Sequence, residues 1–367
     1  MRKQCFGTSF DILHFVSKLS VGIVGLPNVG KSTLFNALLQ KQQAYVANFP
    51  FATIEPNVGV VPVPDRRLEF LAETVASQNS NLQLPIFNQF SNSNFQFKNE
   101  DKWPPIVPAT VEFVDIAGLV KDAHKGEGLG NKFLHHIREV NAIVHVVRAF
   151  DDDSIVKAGS VNAKADFETI KTELELADLE SLERREKKKG KDVSEELPLL
   201  AKKPFLVVLN VSESGLKNAA EIEGQFAREV DVSEDQVVAV SAKLEEQLSE
   251  LGDEEAKAYL AEVGRRESGL ERIVKKAFST LKLITFLTAG PKEVRAWTLR
   301  RGETALRASS VIHTDFVKNF IKADTISFED FISAGGWKKA REKGLVRQEG
   351  RDYIVKDGEV MEFKIGQ

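Results

Sequence analysis

With a single cysteine, Cys5, in 367 residues, the chain cannot be stapled by an internal disulfide, and it suits a reducing compartment. It also lacks any long apolar run. Its hydrophobic stretches are strand-sized, far short of the roughly 20 residues that a membrane-spanning helix needs. Net charge is small, -4 for the whole chain, so contact with nucleic acid would have to come from a local patch rather than the overall field. Residues 1–19 carry Arg2, Lys3 and Lys18 around a short mixed segment without the apolar core of a signal peptide. They read as an extension, with the cytoplasm as the expected location and an organelle stroma or matrix as the alternative if they are a targeting remnant.

What is present is a hydrophobic content of 42%, enough for a sizeable core. Length alone suggests about two or three domains. From residue 20 to about residue 282 apolar runs alternate with helical patterns, the signature of an α/β parallel sheet covered by helices on both faces. The runs are Val21–Val24, Val58–Val61, Val111–Val114, Ile143–Val147, Phe205–Leu209 and Val237–Val240. Ligands of such sheets lie beyond the carboxyl ends of the strands, so the residues just after each run are the ones to read for chemistry. Residues 77–103, rich in Asn, Gln, Ser and Phe, have neither period and read as a low-complexity insert. Asp166 to Lys189 places Phe167, Ile170, Leu174, Ala177 and Leu182 near one helical face, then runs into Arg184, Arg185, Lys187, Lys188 and Lys189. This is expected to be a helical excursion outside the sheet, either a solvated surface helix or a partner-binding arm. After Lys282 the alternation stops. LITFLTA, VRAWTL, DYIV and VMEFKI read as strands around a helix near Ser333 to Lys343, a separate α+β domain with a net charge of about +3.

The stretch Gly25-Leu26-Pro27-Asn28-Val29-Gly30-Lys31-Ser32 fits the phosphate-loop pattern G-x-x-x-x-G-K-[ST], between a strand and a helix. Its glycines let successive N–H groups turn toward phosphate oxygens, and the following helix presents its positive end to the same anion. Asn28, Val29, Gly30, Lys31, Ser32 and Thr33 are therefore nucleotide-binding candidates, with Lys31 reaching the outer phosphates and Ser32 a magnesium ligand. After the third run, Asp115-Ile116-Ala117-Gly118 forms a D-x-x-G switch, in which Asp115 can hold magnesium through water and Gly118 can contact the terminal phosphate. Thr53, in the polar loop before the second run, is the expected second hydroxyl on the metal. Many switch nucleotidases follow this glycine with a water-orienting glutamine; here it is Leu119. Hydrolysis is then expected to be slow, and Asn28 is a candidate ligand for a charge-neutralising cation such as potassium. His135 and His136, adjacent on a helix, point apart and read as surface residues rather than a metal pair.

The base-reading end is Asn210-Val211-Ser212-Glu213. Guanine-specific proteins use N-K-x-D, whose aspartate accepts from two donors on guanine. Here the lysine is Val211 and the aspartate is Glu213, one methylene longer. A purine with an amine at position 6 and none at position 2 loses nothing by that change, which points to adenine. Ser241, Ala242 and Lys243, after the sixth run, offer backbone groups to the base edge.

These residues together resemble the YchF family of Obg-like ATPases, within the translation-factor class of P-loop proteins. The likeness rests on GLPNVGKSTLFNAL, ANFPFATIEPNVGVVPVPD, PATVEFVDIAGLV, KGEGLGNKFLHHIREV, NVSE and FLTAGPKEVRAWTLRRG, and it spans nearly everything from residue 20 onward. The resemblance implies a Ras-like P-loop domain (20–150 and 200–282), a helical arm (151–199) and a C-terminal β-grasp TGS domain (283–367). It further implies magnesium-dependent hydrolysis of ATP in preference to GTP, association with the ribosome, and RNA contact through the TGS domain and basic arm, by a monomer. Four features depart from the family: the N-terminal extension and the insert at 77–103 are unusual for it, and two further departures touch the arm and the site. The arm is cut short after residue 189, where relatives continue into an antiparallel helix pair, and no histidine follows Asp151–Asp153. The alternatives are an Obg-type GTPase and a nucleotide-gated ribosome- or RNA-binding module with little hydrolysis.

Overall fold

A computed structural model describes residues 19–48, 57–77, 103–116, 129–150, 162–187 and 198–366. The first half runs β1 (Ser20–Gly25), α1 (Lys31–Asn48), β2 (Val58–Pro62), α2 (Arg67–Ser77), β3 (Ile106–Val107), β4 (Thr110–Asp115), α3 (Leu129–Glu139), β5 (Ala142–Arg148) and α4 (Ala163–Lys187). It continues with β6 (Phe205–Asn210), α5 (Ala219–Glu229), β7 (Val237–Val240), α6 (Ala242–Glu250), α7 (Asp253–Glu262) and α8 (Gly269–Thr280). All six expected runs are strands, and they form one sheet in the order β2-β4-β1-β5-β6-β7. Four strands are buried on both faces: every residue of β5 and of the edge strand β7 is inside, and β1 and β6 are buried beyond their first residue. Such strands show up as unbroken Val/Ile/Leu runs because helices cover both sides.

The sheet is not wholly parallel, as the alternation predicted. β1, β4, β5, β6 and β7 run parallel, but β2 pairs antiparallel with β4, Val58 opposite Val114 and Pro62 opposite Thr110. Apolar pattern identifies a strand without fixing its direction, and an antiparallel edge strand on a parallel sheet is a common exception. The five parallel strands end together, at Gly25, Asp115, Arg148, Asn210 and Val240. β1 lies between β4 and β5, so the loop after Gly25 leaves the sheet at the switch in strand order where ligands bind.

α4 departs from expectation in the same way. Phe167, Ile170, Leu174 and Ala177 are buried against the sheet and its neighbouring strands, so most of this helix covers the sheet rather than leaving it. Only its far end, with Leu179 and Leu182, is apolar and exposed. Asp178 fixes the return of the chain by accepting from the N–H groups of Leu200 and Ala201, both at 2.9 Å.

The C-terminal part contains β8 (Leu283–Ala289), β9 (Val294–Arg300), α9 (Ala305–Ile312), α10 (Asp315–Asn319), β10 (Phe320–Ile326), α11 (Phe328–Ala334), α12 (Trp337–Glu342), β11 (Arg347–Glu349) and β12 (Val360–Ile365). These strands, together with β3, make a second, mixed sheet in the order β11-β10-β12-β8-β9-β3. DYIV is not a strand. Tyr353 accepts from the Ala305 N–H at 2.8 Å, and Ile354 makes an isolated bridge to Thr304, so the segment braces the start of α9. The helix expected near Ser333 to Lys343 is two helices, because Gly335 ends α11 in the left-handed region at φ 85°. β10 was missed: Lys322 and Asp324 break its apolar pattern, yet Asp324 is buried and receives Arg341 at 3.3 Å.

The two sheets share one core. A continuous apolar cluster runs from Val21 and Leu38 through Phe70 and Ile273 to Leu287, Phe331 and Val360. β3 joins the second sheet by pairing in parallel with β9, Ile106 beside Val294. Arg67, at the start of α2, pairs with Asp65 at 2.7 Å and Asp357 at 3.0 Å and donates to Thr285 Oγ1 at 2.7 Å. No helix among the described residues is long and apolar enough to cross a membrane.

Candidate functional site

The loop from Gly25 to Gly30 carries two backbone conformations that direct its residue types. Gly30 has φ 94°, and a side chain there would run into the Asn210 amide. Glycine is the residue without that penalty. Asn28 sits at φ 62°, in the left-handed region that Asn tolerates better than most. Val29 is buried beneath the loop, and the Leu34 N–H bonds Gly30 O at 3.0 Å to begin α1. The free N–H groups of the first turn of α1 thus face the cleft, the arrangement that binds anions.

Asn210, at the end of β6, is the stitch of the site. It is 5% exposed. Its Nδ2 donates to Val29 O at 2.9 Å, and its Oδ1 accepts from the Ala242 N–H at 3.0 Å. One side chain thereby fixes the phosphate loop against the start of α6, whose first turn is capped by Ser241 Oγ accepting from Leu244 N–H at 3.4 Å. Lys31 Nζ makes an ion pair with Asp115 Oδ1, and both side chains are largely shielded. The phosphate-loop lysine and the switch aspartate, 84 positions apart in sequence, are therefore neighbours.

These elements line a cleft of about 970 Å³. Its walls include Asn28, Gly30, Lys31, Ser32, Thr33, Asn210, Val211, Glu213, Ser241 and Ala242, so ten of the residues chosen from sequence share one cavity. Val29 sits under it, and Asp115 joins it through Lys31. Thr53, Gly118 and Leu119 lie outside the described residues, as do Asp151 to Asp153 and residues 78–102 of the insert read as 77–103. His135 and His136 are exposed on α3, as expected, but they do not point apart: their rings stack with centroids 6.2 Å apart. Among the described residues no group of three His, Cys, Asp or Glu side chains could hold a metal. The oxygen donors in the cleft, the Ser32 hydroxyl and the Asp115 carboxylate, instead suit a hard cation that also takes ligands from phosphates.

Three residues escaped the sequence reading. Phe150 lines the cleft just past β5, the one parallel strand whose end had been passed over for chemistry. Arg148, itself buried, holds it by donating from Nε to Phe150 O at 3.0 Å, with the guanidinium 4.5 Å from the ring centroid. Glu246 of α6 also lines the cleft. Tyr259 of α7 donates from its hydroxyl to Glu213 Oε1 at 3.1 Å. No local pattern marks Tyr259, since it reaches the site only by the packing of α7.

A phosphate loop at the switch point of an α/β sheet, with a buried asparagine joining it to the base-side loop, defines a P-loop nucleotide-binding protein. The family model described as 50S ribosome-binding GTPase matches residues 20–211. The C-terminal YchF-GTPase model, described as "Protein of unknown function (DUF933)", matches residues 283–366. The chain is 46% identical to the ribosome-binding ATPase YchF of Escherichia coli O157:H7, over 93% of this chain and 98% of the relative. It is 43% identical to that of Bacillus subtilis, over 94% and 99%. The solved structure of the Schizosaccharomyces pombe YchF GTPase superposes with a TM-score of 0.74 at 30% identity, covering 95% of this chain and 98% of that one. The chain belongs to the YchF family.

Proposed function

We propose that this protein is a ribosome-binding ATPase that hydrolyses ATP to ADP and phosphate with magnesium and switches conformation with its nucleotide. The observation that carries the reading is the single cleft shared by Lys31, Ser32, Asn210 and Glu213, in a chain whose curated relatives are named ribosome-binding ATPases. The names of relatives divide between ATPase and GTPase. Glu213 in place of the guanine-reading aspartate favours adenine.

Lys31 and the N–H groups that open α1 hold the outer phosphates and meet charge that develops on them during transfer to water. Ser32, Thr53 and Asp115 are the residues that would hold magnesium. When bound, the ion neutralises phosphoryl oxygens as charge builds. Asn210 keeps the phosphate loop in register with the base site, and the Gly118 N–H is the donor assigned to the terminal phosphate. Leu119 offers no hydrogen bond to water, so intrinsic turnover is slow until a partner or a monovalent cation near Asn28 assists. The ribosome is the partner the family supports, with the C-terminal domain and the basic end of α4 as RNA-facing surfaces.

Phosphate release is measured under single turnover with ATP and with GTP, with and without ribosomes and potassium. Release with ATP that Lys31→Ala abolishes is the expected result. No release in any condition would make the protein a nucleotide-gated binding module, and preference for GTP would overturn the base assignment.

A further inference from the structure

Glu213 is exposed at the mouth of the cleft, and a free glutamate there has many rotamers. Its carboxylate is nevertheless held from behind. Tyr259 on α7 donates its hydroxyl to Oε1 at 3.1 Å, while the residue itself packs at the margin of the cluster containing Leu216, Leu248 and Leu260. The turn that follows Glu213 is clamped from the same side. Leu216 N–H bonds Glu213 O at 3.2 Å, and Arg265, just beyond α7, donates to Leu216 O. The hydrogen bond to Glu213, followed by its negative charge, raises the Tyr259 phenol above its ordinary pKa, so the hydroxyl stays a donor through the neutral range.

A carboxylate that reads guanine must turn both oxygens to the base, because N1–H and the 2-amine donate side by side. Adenine offers a single donor on that edge, the 6-amine, beside an N1 that repels a carboxylate oxygen. A tyrosine hydroxyl on Oε1 takes one of that oxygen's two acceptor sites and fixes the rotamer and plane of the group, so the two oxygens no longer turn freely to the base. We infer that Tyr259 is a specificity-determining positioning residue: by holding Oε1 of Glu213 it leaves the carboxylate suited to adenine and penalises the two-pronged contact of guanine. Rejection of guanine is then built from a carboxylate held in one orientation, a restraint that acts against the competing base. The inference rests on the reading of Glu213 as the base contact.

The test compares kcat and KM for ATP and GTP in the full chain, its Tyr259→Phe variant, which loses one oxygen and keeps the ring, and Glu213→Gln. The ratio of kcat/KM for ATP over GTP is expected to fall by about tenfold in Tyr259→Phe, through KM rather than kcat, the size of one competing hydrogen bond. A structural loss would weaken both nucleotides alike and leave the ratio unmoved. If Glu213→Gln changes the ratio and Tyr259→Phe does not, the tyrosine has no such role while the base reading stands. If Glu213→Gln leaves the ratio unchanged, or the unmodified chain prefers GTP, the base reading fails and this inference with it. The double variant checks the link: effects that add independently on the ratio would overturn it.

Discussion

At the scale of single residues, the site shows how a motif acquires its meaning from a partner far away in sequence. The glycine at position 30 is demanded twice, by its φ of 94° and by the Asn210 amide that fills the space a side chain would need. Only the first reason belongs to the loop itself. His145, in the middle of β5, is a residue of another kind. It is 4% exposed and stacked on Phe167 at 5.3 Å, and burial lowers its pKa from 6.5 to about 3. The folded state therefore keeps it neutral while the unfolded chain takes up a proton below pH 6.5. Its contribution is intact above that value and is lost as pH falls toward the folded value. Between pH 7 and pH 5 this residue alone should remove about 2 kcal/mol of stability. Urea unfolding at both pH values should show that loss in the unmodified chain and its absence in His145→Leu; equal losses in the two would refute the assignment.

At the scale of elements, local pattern located strands and helices more surely than it told what they face. Four of the six runs, β1, β5, β6 and β7, were legible because strands buried on both sides leave an unbroken apolar signature, while β2 and β4, buried at alternate residues, read as Val-rich runs. β10 was not, because Asp324 finds its partner Arg341 on α12, and an inward charge looks like a strand breaker until that partner is known. α4 shows the same limit. Its apolar stripe was visible, but a stripe that packs on a sheet and one that packs on a partner helix have the same period. Leu174, 7% exposed, should therefore cost about 2–4 kcal/mol when changed to Ala. Leu182, 39% exposed, should change stability by less than about 0.5 kcal/mol. Chemical denaturation of the two variants distinguishes a helix laid on the sheet from one that projects from it.

At the scale of the whole molecule, the nucleotide sheet and the C-terminal sheet are joined by a shared apolar core, by β3 and by the Arg67 contacts. The three tryptophans report on the second sheet: Trp103 lies just ahead of β3, Trp297 is in β9, and Trp337 donates to Ala289 O at 3.1 Å. Nucleotide binding reports on the first. Loss of nucleotide binding and the change in tryptophan fluorescence should coincide along a urea titration, and a fluorescence transition well separated from the binding transition would show two independent units. The sequence by itself determined the phosphate loop, the switch aspartate, the substituted base motif and the strands of the first sheet. Those depend on residue type at short spacing, where backbone geometry and hydrogen-bonding chemistry act locally. Only the tertiary structure decided the direction of β2, the place of α4, the fusion of the two cores and the tyrosine behind Glu213. Each of these is a contact between segments distant in the chain, fixed by which surfaces bury one another, and no local pattern encodes it.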